Sequence, residues 1–391
     1  MMDGRTQLDV AYLHYGAQSG VTPQISKALF GRGHRITPLQ VAGPLELRDA
    51  RGRRRPSVPF VLHLAAAAAR FGRRAFAHRW NTTYAFDAHT REAGRAVAAL
   101  PTPPDVILQN GALFAPGENP RQPYVLLLDH TRQLSMQLAV PGGTSLPAPV
   151  DYGPAWRQRE TSLYLGARAI ATFSRRVATS LQRDYGVPGH RIRVVGAGAN
   201  LHPERIERGD DGQTLLFVGK DFQRKGGLVL LRAFERLRQE RPALKLIIAG
   251  PPKLSGLPQG VTFRGFVPPE QLPALFSQAT LFVLPTLREP FGLAFLDAMA
   301  CGLACVGTHV EAVPEVVEHG ETGLLVPPGD DLRLADAIAD LLDDPARTHA
   351  MGLRGRLRVD KDFLWRHVGE RLERALLDAV GQPSGVQQRL G

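Results

Sequence analysis

Cysteine is nearly missing from this chain of 391 residues: there are two, Cys301 and Cys305. So small a number excludes a disulfide framework of the kind that holds secreted mini-domains together. Two thiols alone do not make a metal site either, so both are expected as small buried residues. Long apolar runs are also lacking. No stretch approaches the roughly 20 residues that a membrane-spanning helix needs. The opening residues Met1-Met2-Asp3-Gly4 carry no secretion-signal pattern. The expectation is a cytoplasmic protein. A hydrophobic share of 43% is ordinary for a soluble fold, and the length exceeds one core, which predicts two domains.

Acidic residues are scarce in one half only. Residues 1–205 hold 26 Lys and Arg against 13 Asp and Glu, whereas residues 206–391 hold 22 against 24. The N-terminal half therefore carries the whole net charge of +11. Its densest stretch contains Arg48, Arg51, Arg53, Arg54, Arg55, Arg70, Arg73, Arg74 and Arg79, opposed by Asp49 alone. Such a field favours an anionic partner: a lipid surface at the inner face of a membrane, an anionic acceptor, or nucleic acid. Of these, nucleic acid is not expected. Solvated arginines with no partner would read the same way.

Apolar runs punctuated by glycine and proline predict parallel strands alternating with helices. Strands are expected at 8–15, 33–39, 104–109, 124–128, 169–173 and 192–195, with a helix from about Thr22 to Gly31. Residues 40–58 read as an irregular loop, and Phe60 to Arg79 as an amphipathic helix. The breaker-rich stretch 201–213 reads as a linker. A second alternation follows, with strands at 214–219, 245–250, 281–284 and 304–307. Helices are expected at 226–240, 270–278, 292–301, 331–343 and from Trp365 to Val380. The expected organisation is an N-terminal Rossmann-like domain over 1–203, a second over 204–364, and a terminal helix and tail over 365–391.

Two segments carry candidate chemistry. In Leu281-Phe282-Val283-Leu284-Pro285 a strand stops at proline, and a loop with Glu289 and Gly292 leads into a helix bearing Asp297. Strand, loop and helix present ligands at the carboxyl ends of open α/β sheets. Glu289 and Asp297 can approach one ligand from its two ends, as a nucleotide-linked sugar requires. In the second segment, Val218-Gly219-Lys220-Asp221-Phe222-Gln223-Arg224-Lys225-Gly226-Gly227, a strand ends at Gly219 and a helix begins after two lysines. Cations and a helix N-terminus together suit a diphosphate. Arg224 is expected to face solvent. Asp360-Lys361-Asp362, a metal-pair spacing, reads as capping and surface charge at the start of a late helix.

The segment Glu289-Pro290-Phe291-Gly292-Leu293, with Asp297 eight residues after Glu289, resembles the donor-site signature of retaining glycosyltransferases of GT-B fold, the family 4 or group 1 type. The resemblance continues through Ala298-Met299-Ala300-Cys301-Gly302, Pro314-Glu315-Val316-Val317 and Gly320-Glu321-Thr322-Gly323. It covers most of the C-terminal half, with Asp297 where the family usually has Glu. It implies two facing Rossmann-like domains, parallel sheets and a C-terminal helix crossing back onto the N-terminal domain. It also implies roles. Lys220 and Lys225 bind the donor diphosphate, and Glu289 and the backbone of Phe291, Gly292 and Leu293 bind the sugar. Asp297 holds the ribose, Val267 in Arg264-Gly265-Phe266-Val267 walls the base, and Gly219 ends the diphosphate strand. On the N-terminal side, Gly20 and Gly198 match donor-facing glycine loops, and His130, after the strand ending at Leu128, matches a histidine that meets the sugar. The catalytic set is then Glu289, His130, Lys225 and Lys220, with no metal and no cofactor. A UDP- or GDP-linked sugar serves as donor, and a glycan, lipid or cell-envelope precursor as acceptor. Other readings are an epimerase of the same fold, and a non-catalytic nucleotide-sugar-binding or basic adapter protein.

Overall fold

The computed structural model describes residues 7–16, 18–41, 46–48, 54–56, 58–137, 149–204 and 209–381. Arg51, Arg53 and nearly all of the tail after 380 lie outside them. The chain forms two compact units. Among the described residues, one is drawn from those up to 137, from 149–196 and from 368–381, and the other from those between 197 and 367. The change of unit at 196–197 falls ahead of the 201–213 stretch.

The first unit contains strands β1 (Asp9–His14), β2 (Arg35–Gln40), β3 (Glu46–Arg48), β4 (Arg54–Pro56), β5 (Val106–Asn110), β6 (Tyr124–Leu128), β7 (Ala169–Thr172) and β8 (Ile192–Val194). Six of them make a wholly parallel sheet in the order β2-β1-β5-β6-β7-β8. β5 and β6 are buried at every residue, as parallel strands covered on both faces must be. The helices are α1 (Val21–Phe30), α2 (Val58–Phe71), α3 (Thr83–Ala98), α4 (Arg132–Gln137), α5 (Pro154–Gly166) and α6 (Arg175–Tyr185). α3 and α6 start where Thr82 and Ser174 accept from the amides of Ala85 and Val177.

Residues 40–58 depart from the expected irregular loop. β3 and β4 pair there as an antiparallel hairpin, Leu47 opposite Arg55, and α2 begins at Val58. α2 also ends at Phe71, short of Arg79, because Gly72 takes a left-handed turn. Val61 and Leu62 are exposed on it, and Phe76 beyond it, while His63 and Ala67 are buried.

The second unit contains β9 (Thr214–Val218), β10 (Lys245–Ala249), β11 (Val261–Gly265), β12 (Leu281–Val283), β13 (Ala304–Thr308) and β14 (Gly323–Val326). They form a parallel sheet in the order β11-β10-β9-β12-β13-β14. Its helices are α7 (Gly227–Glu240), α8 (Leu272–Gln278), α9 (Leu293–Ala300), α10 (Val313–Val316), α11 (Asp331–Asp343) and α12 (Pro345–Asp362), and the last helix, α13 (Trp365–Ala379), starts in it. Asp330 and Asp344 cap α11 and α12. The expected fold class, two Rossmann-like units with parallel sheets, is the one found. Cys301 and Cys305 are both free and buried, and burial raises the Cys305 thiol far above its usual range. No helix among the described residues is long and apolar enough to cross a membrane.

From Val368 onward α13 belongs to the first unit. Glu373 on it pairs with Arg32 and, at 3.0 Å, with His34 Nε2. Burial works to raise the Glu373 carboxyl, but the bonds from His34 and Arg32 outweigh it and lower it. Its stabilisation is therefore present above the ordinary carboxylate range and is lost as pH falls below it. Glu373→Ala strands a buried imidazole and a half-buried guanidinium. It is expected to cost about 3 kcal/mol, read from urea unfolding at pH 7, and the difference from wild type should shrink toward pH 3.

Candidate functional site

In the second sheet the strand order reverses at β9, which lies between β10 and β12. The crevice outside the carboxyl ends of β9 and β12 is where open α/β sheets take ligands. Both candidate segments leave from these two ends. The loop after β9 carries Lys220 and Lys225, and the loop after β12 carries Glu289.

The two loops are tied through the backbone. Leu287 N donates to Arg224 O at 2.9 Å, and Arg224 Nη1 donates to Arg288 O at 2.7 Å. Gly226 has φ +76°, and a Cβ there would lie 1.8 Å from Pro285 O. Only glycine allows that approach. Lys225 is thereby set against Glu289, and their ammonium and carboxylate form an ion pair with 12% and 8% of the side chains exposed. Burial lowers the Lys225 amine, while attraction from Glu289 works to raise it. Two residues 64 positions apart so become one buried charge pair at the strand ends. Arg224, expected at the solvent, instead holds the Arg288 carbonyl.

A third loop, after β13, joins them. Thr308 Oγ1 donates to Thr286 O at 2.5 Å, and the Glu289 amide donates to the carboxylate of Glu311. Gly292 caps α9, and among the described residues nothing accepts from the amides of Gly292 and Leu293. Such unmet donors at a helix N-terminus bind anions or hydroxyl oxygens. Phe291 is buried, its ring 6.4 Å from that of Phe363.

The other expected residues scatter more widely. Lys220 remains exposed, its ammonium 5.9 Å from the ring centre of Phe266, so the two lysines differ in character. Gly219 packs under Lys225, whose Cγ would be 3.0 Å from an added Cβ. Val267 lines a depression of about 640 Å³ with Phe263, Arg264, Phe266 and Glu270. Arg264 and Gly265 are the last residues of β11, so the loop is shorter than the sequence suggested. Asp297 turns its Oδ1 to the amides of Asn200 and Leu201, at 2.7 and 2.9 Å. Burial raises its carboxyl to about 7, against those two bonds. One oxygen is thus committed to the chain at 200–201. Gly198 has a packing reason to be glycine, because a Cβ would lie 2.6 Å from Trp365 N.

Gly20 and His130 belong to the first unit. Gly20 caps α1 at φ +89° after two further left-handed residues, Gln18 and Ser19. His130 follows β6, and its Nε2 is bonded to Ser135 Oγ, which fixes the ring. The Asp360–Asp362 pair closes α12 rather than opening a helix. Asp360 there binds His202 Nε2 at 2.6 Å and Arg356 at 3.2 Å, so ion pairing replaces the expected cap. Among the described residues there is no group of three or more His, Cys, Asp or Glu able to hold a metal ion.

Residues 212–344 match the family model "Glycosyl transferases group 1". A D-inositol 3-phosphate glycosyltransferase of Pseudarthrobacter chlorophenolicus is 34% identical over 217 residues, 49% of this chain and 51% of that protein. The chain spans about half the length of the curated relatives it matches. A sucrose-phosphate synthase from Thermosynechococcus elongatus superposes with a TM-score of 0.71 at 23% identity, over 95% of this chain and 100% of that one. Anabaena HepE, solved in complex with UDP-glucose, gives a TM-score of 0.63 at 14% identity over 95% and 100%. Residues 212–344 are accordingly similar to the glycosyl transferases group 1 family, in a chain whose two parallel-sheet units have the GT-B fold.

Proposed function

We propose that this protein is a retaining, metal-independent glycosyltransferase that moves a hexose-type sugar from a nucleotide diphosphate sugar to an acceptor hydroxyl. The observation that carries the reading is the buried Lys225–Glu289 pair at the strand-order reversal, beside the unmet amides of α9. A diphosphate arriving there draws the Lys225 ammonium from Glu289, and the freed carboxylate accepts sugar hydroxyls. As the bond from the anomeric carbon to the leaving phosphate oxygen breaks, negative charge grows on the diphosphate. Lys225 and the amides of Gly292 and Leu293 are positioned to stabilise it. The acceptor oxygen bonds to the same face of the anomeric carbon, and its proton passes to the leaving diphosphate. Lys220 assists at the diphosphate, Asp297 at the ribose and His130 at the sugar, as the resemblance implies.

The name of a relative, D-inositol 3-phosphate glycosyltransferase, supports an acceptor that bears a phosphate, as does the basic N-terminal half. The test is a transfer assay in EDTA with UDP-glucose and GDP-mannose, offered inositol 3-phosphate and hexose phosphates. Nucleotide diphosphate release coupled to a product of retained anomeric configuration supports the proposal. Release dependent on divalent metal, or an inverted product, contradicts it.

A second reading concerns where the acceptor lies. Exposed Val61, Leu62 and Phe76 stand with exposed Arg70, Arg73 and Arg74, a combination that suits an anionic bilayer surface. The protein would then work at the inner face of the membrane. Failure to sediment with phosphatidylglycerol vesicles at low salt removes this version.

A further inference from the structure

Glu311 stands in a backbone conformation that its side chain makes costly. Its φ is +46°, in the left-handed region, which glycine enters freely and a glutamate does not. Its neighbours leave it no slack: Val310 and Ala312 are both buried. Thr308 binds Thr286 O just upstream, and Val313 N donates to Val310 O at 3.0 Å just downstream. This strained residue points its carboxylate at one group of interest, the amide of Glu289. That amide belongs to the residue whose side chain holds Lys225.

From this we infer that Glu311 is a positioning residue, which fixes the Glu289 backbone so that the Glu289 carboxylate meets the sugar once Lys225 turns to the diphosphate. The inference rests on the donor-site reading above and adds to it a residue from a third loop. Strain held at a functional loop is tolerated when the surrounding structure over-determines it, and here bonds on both sides do so. Without Glu311 the Glu289 amide loses its acceptor, and the Glu289 side chain loses its fixed origin. A misplacement of about 1 Å at such a group costs on the order of 100-fold in rate.

Two variants separate positioning from mere support of the fold. Glu311→Gly relieves the left-handed strain and removes the acceptor. Glu311→Gln keeps an acceptor oxygen at nearly the same reach. The expected result is that Glu311→Gly melts no lower than wild type and binds UDP or GDP alone with unchanged affinity. It should bind the matching nucleotide-sugar about tenfold more weakly and show kcat reduced about 10- to 100-fold. Glu311→Gln should stay within about threefold of wild type in each respect. A Glu311→Gly protein with wild-type nucleotide-sugar affinity and kcat overturns the inference. So does a Glu311→Gly protein that melts well below wild type, since support of the fold would then explain it. If wild type binds nucleotide-sugars but transfers nothing, the transferase reading fails while the loss of sugar affinity in Glu311→Gly still upholds positioning. If wild type binds neither nucleotides nor nucleotide-sugars, both fall together.

Discussion

Lys225→Ala is expected to lower kcat/KM for the donor by about 100- to 1,000-fold, the usual loss when one preorganised charge-stabilising group is removed. It is also expected to destabilise the protein by about 3–5 kcal/mol, because the Glu289 carboxylate stays buried with no counter-charge. Lys225 and Glu289 expose only 12% and 8% of their side chains, so water reaches neither well enough to compensate. The two effects come apart in a second variant. Lys225→Met with Glu289→Gln replaces the ion pair by a neutral pair of similar volume and should recover most of the lost stability. It should recover none of the activity. Urea unfolding and steady-state kinetics on the three proteins measure both. Recovery of activity together with stability would show that the pair only supports the fold.

Gly226→Ala is the second large effect. The added methyl must enter a left-handed position and lie 1.8 Å from Pro285 O, so the β9 and β12 loops must move apart. Left-handed strain of about 1–2 kcal/mol and overpacking of about 1–3 kcal/mol predict a loss of about 2–5 kcal/mol. The displaced loop carries Lys225, so nucleotide affinity should fall as well. Thermal unfolding with and without nucleotide reads both. A Gly226→Ala protein of wild-type stability would mean that the loops do not run as close as described.

The frame of the fold was legible because buried parallel strands are continuous apolar runs. Tyr124–Leu128 was read to the residue, and α11 matches its expected 331–343 span. Strands without that signature escaped, and so did β14, whose four residues are buried throughout but make only a short run after Gly323. β11 alternates half-buried and exposed residues at the sheet edge, so its end passed for a loop. The β3–β4 hairpin lies in a proline- and arginine-rich stretch whose composition suggested no strand.

At the site, Lys225 and Glu289 were legible separately as a cation before a helix and an acid before a helix. Their pairing was not, because it depends on β9 and β12 being neighbours in the sheet. Arg224 and Glu311 were missed for the same reason: each acts on the backbone of a loop distant in sequence. Asp297 was found for its spacing, yet the folded chain turns one of its oxygens to Asn200 and Leu201, which no local pattern announces. For Gly198, a glycine pattern suggested a ligand where the structure shows a tryptophan packed close.

The central claim is that Lys225 at this strand-order reversal receives a nucleotide diphosphate without help from a metal. Its most direct test is the thermal unfolding of wild type and Lys225→Ala against UDP and GDP, each with EDTA and again with magnesium. A nucleotide at 100 times its Kd should stabilise wild type by about 2.7 kcal/mol. The account predicts that shift for at least one of the two, equal with and without chelator and missing in Lys225→Ala. A shift that requires magnesium, or one that survives in Lys225→Ala, would contradict it.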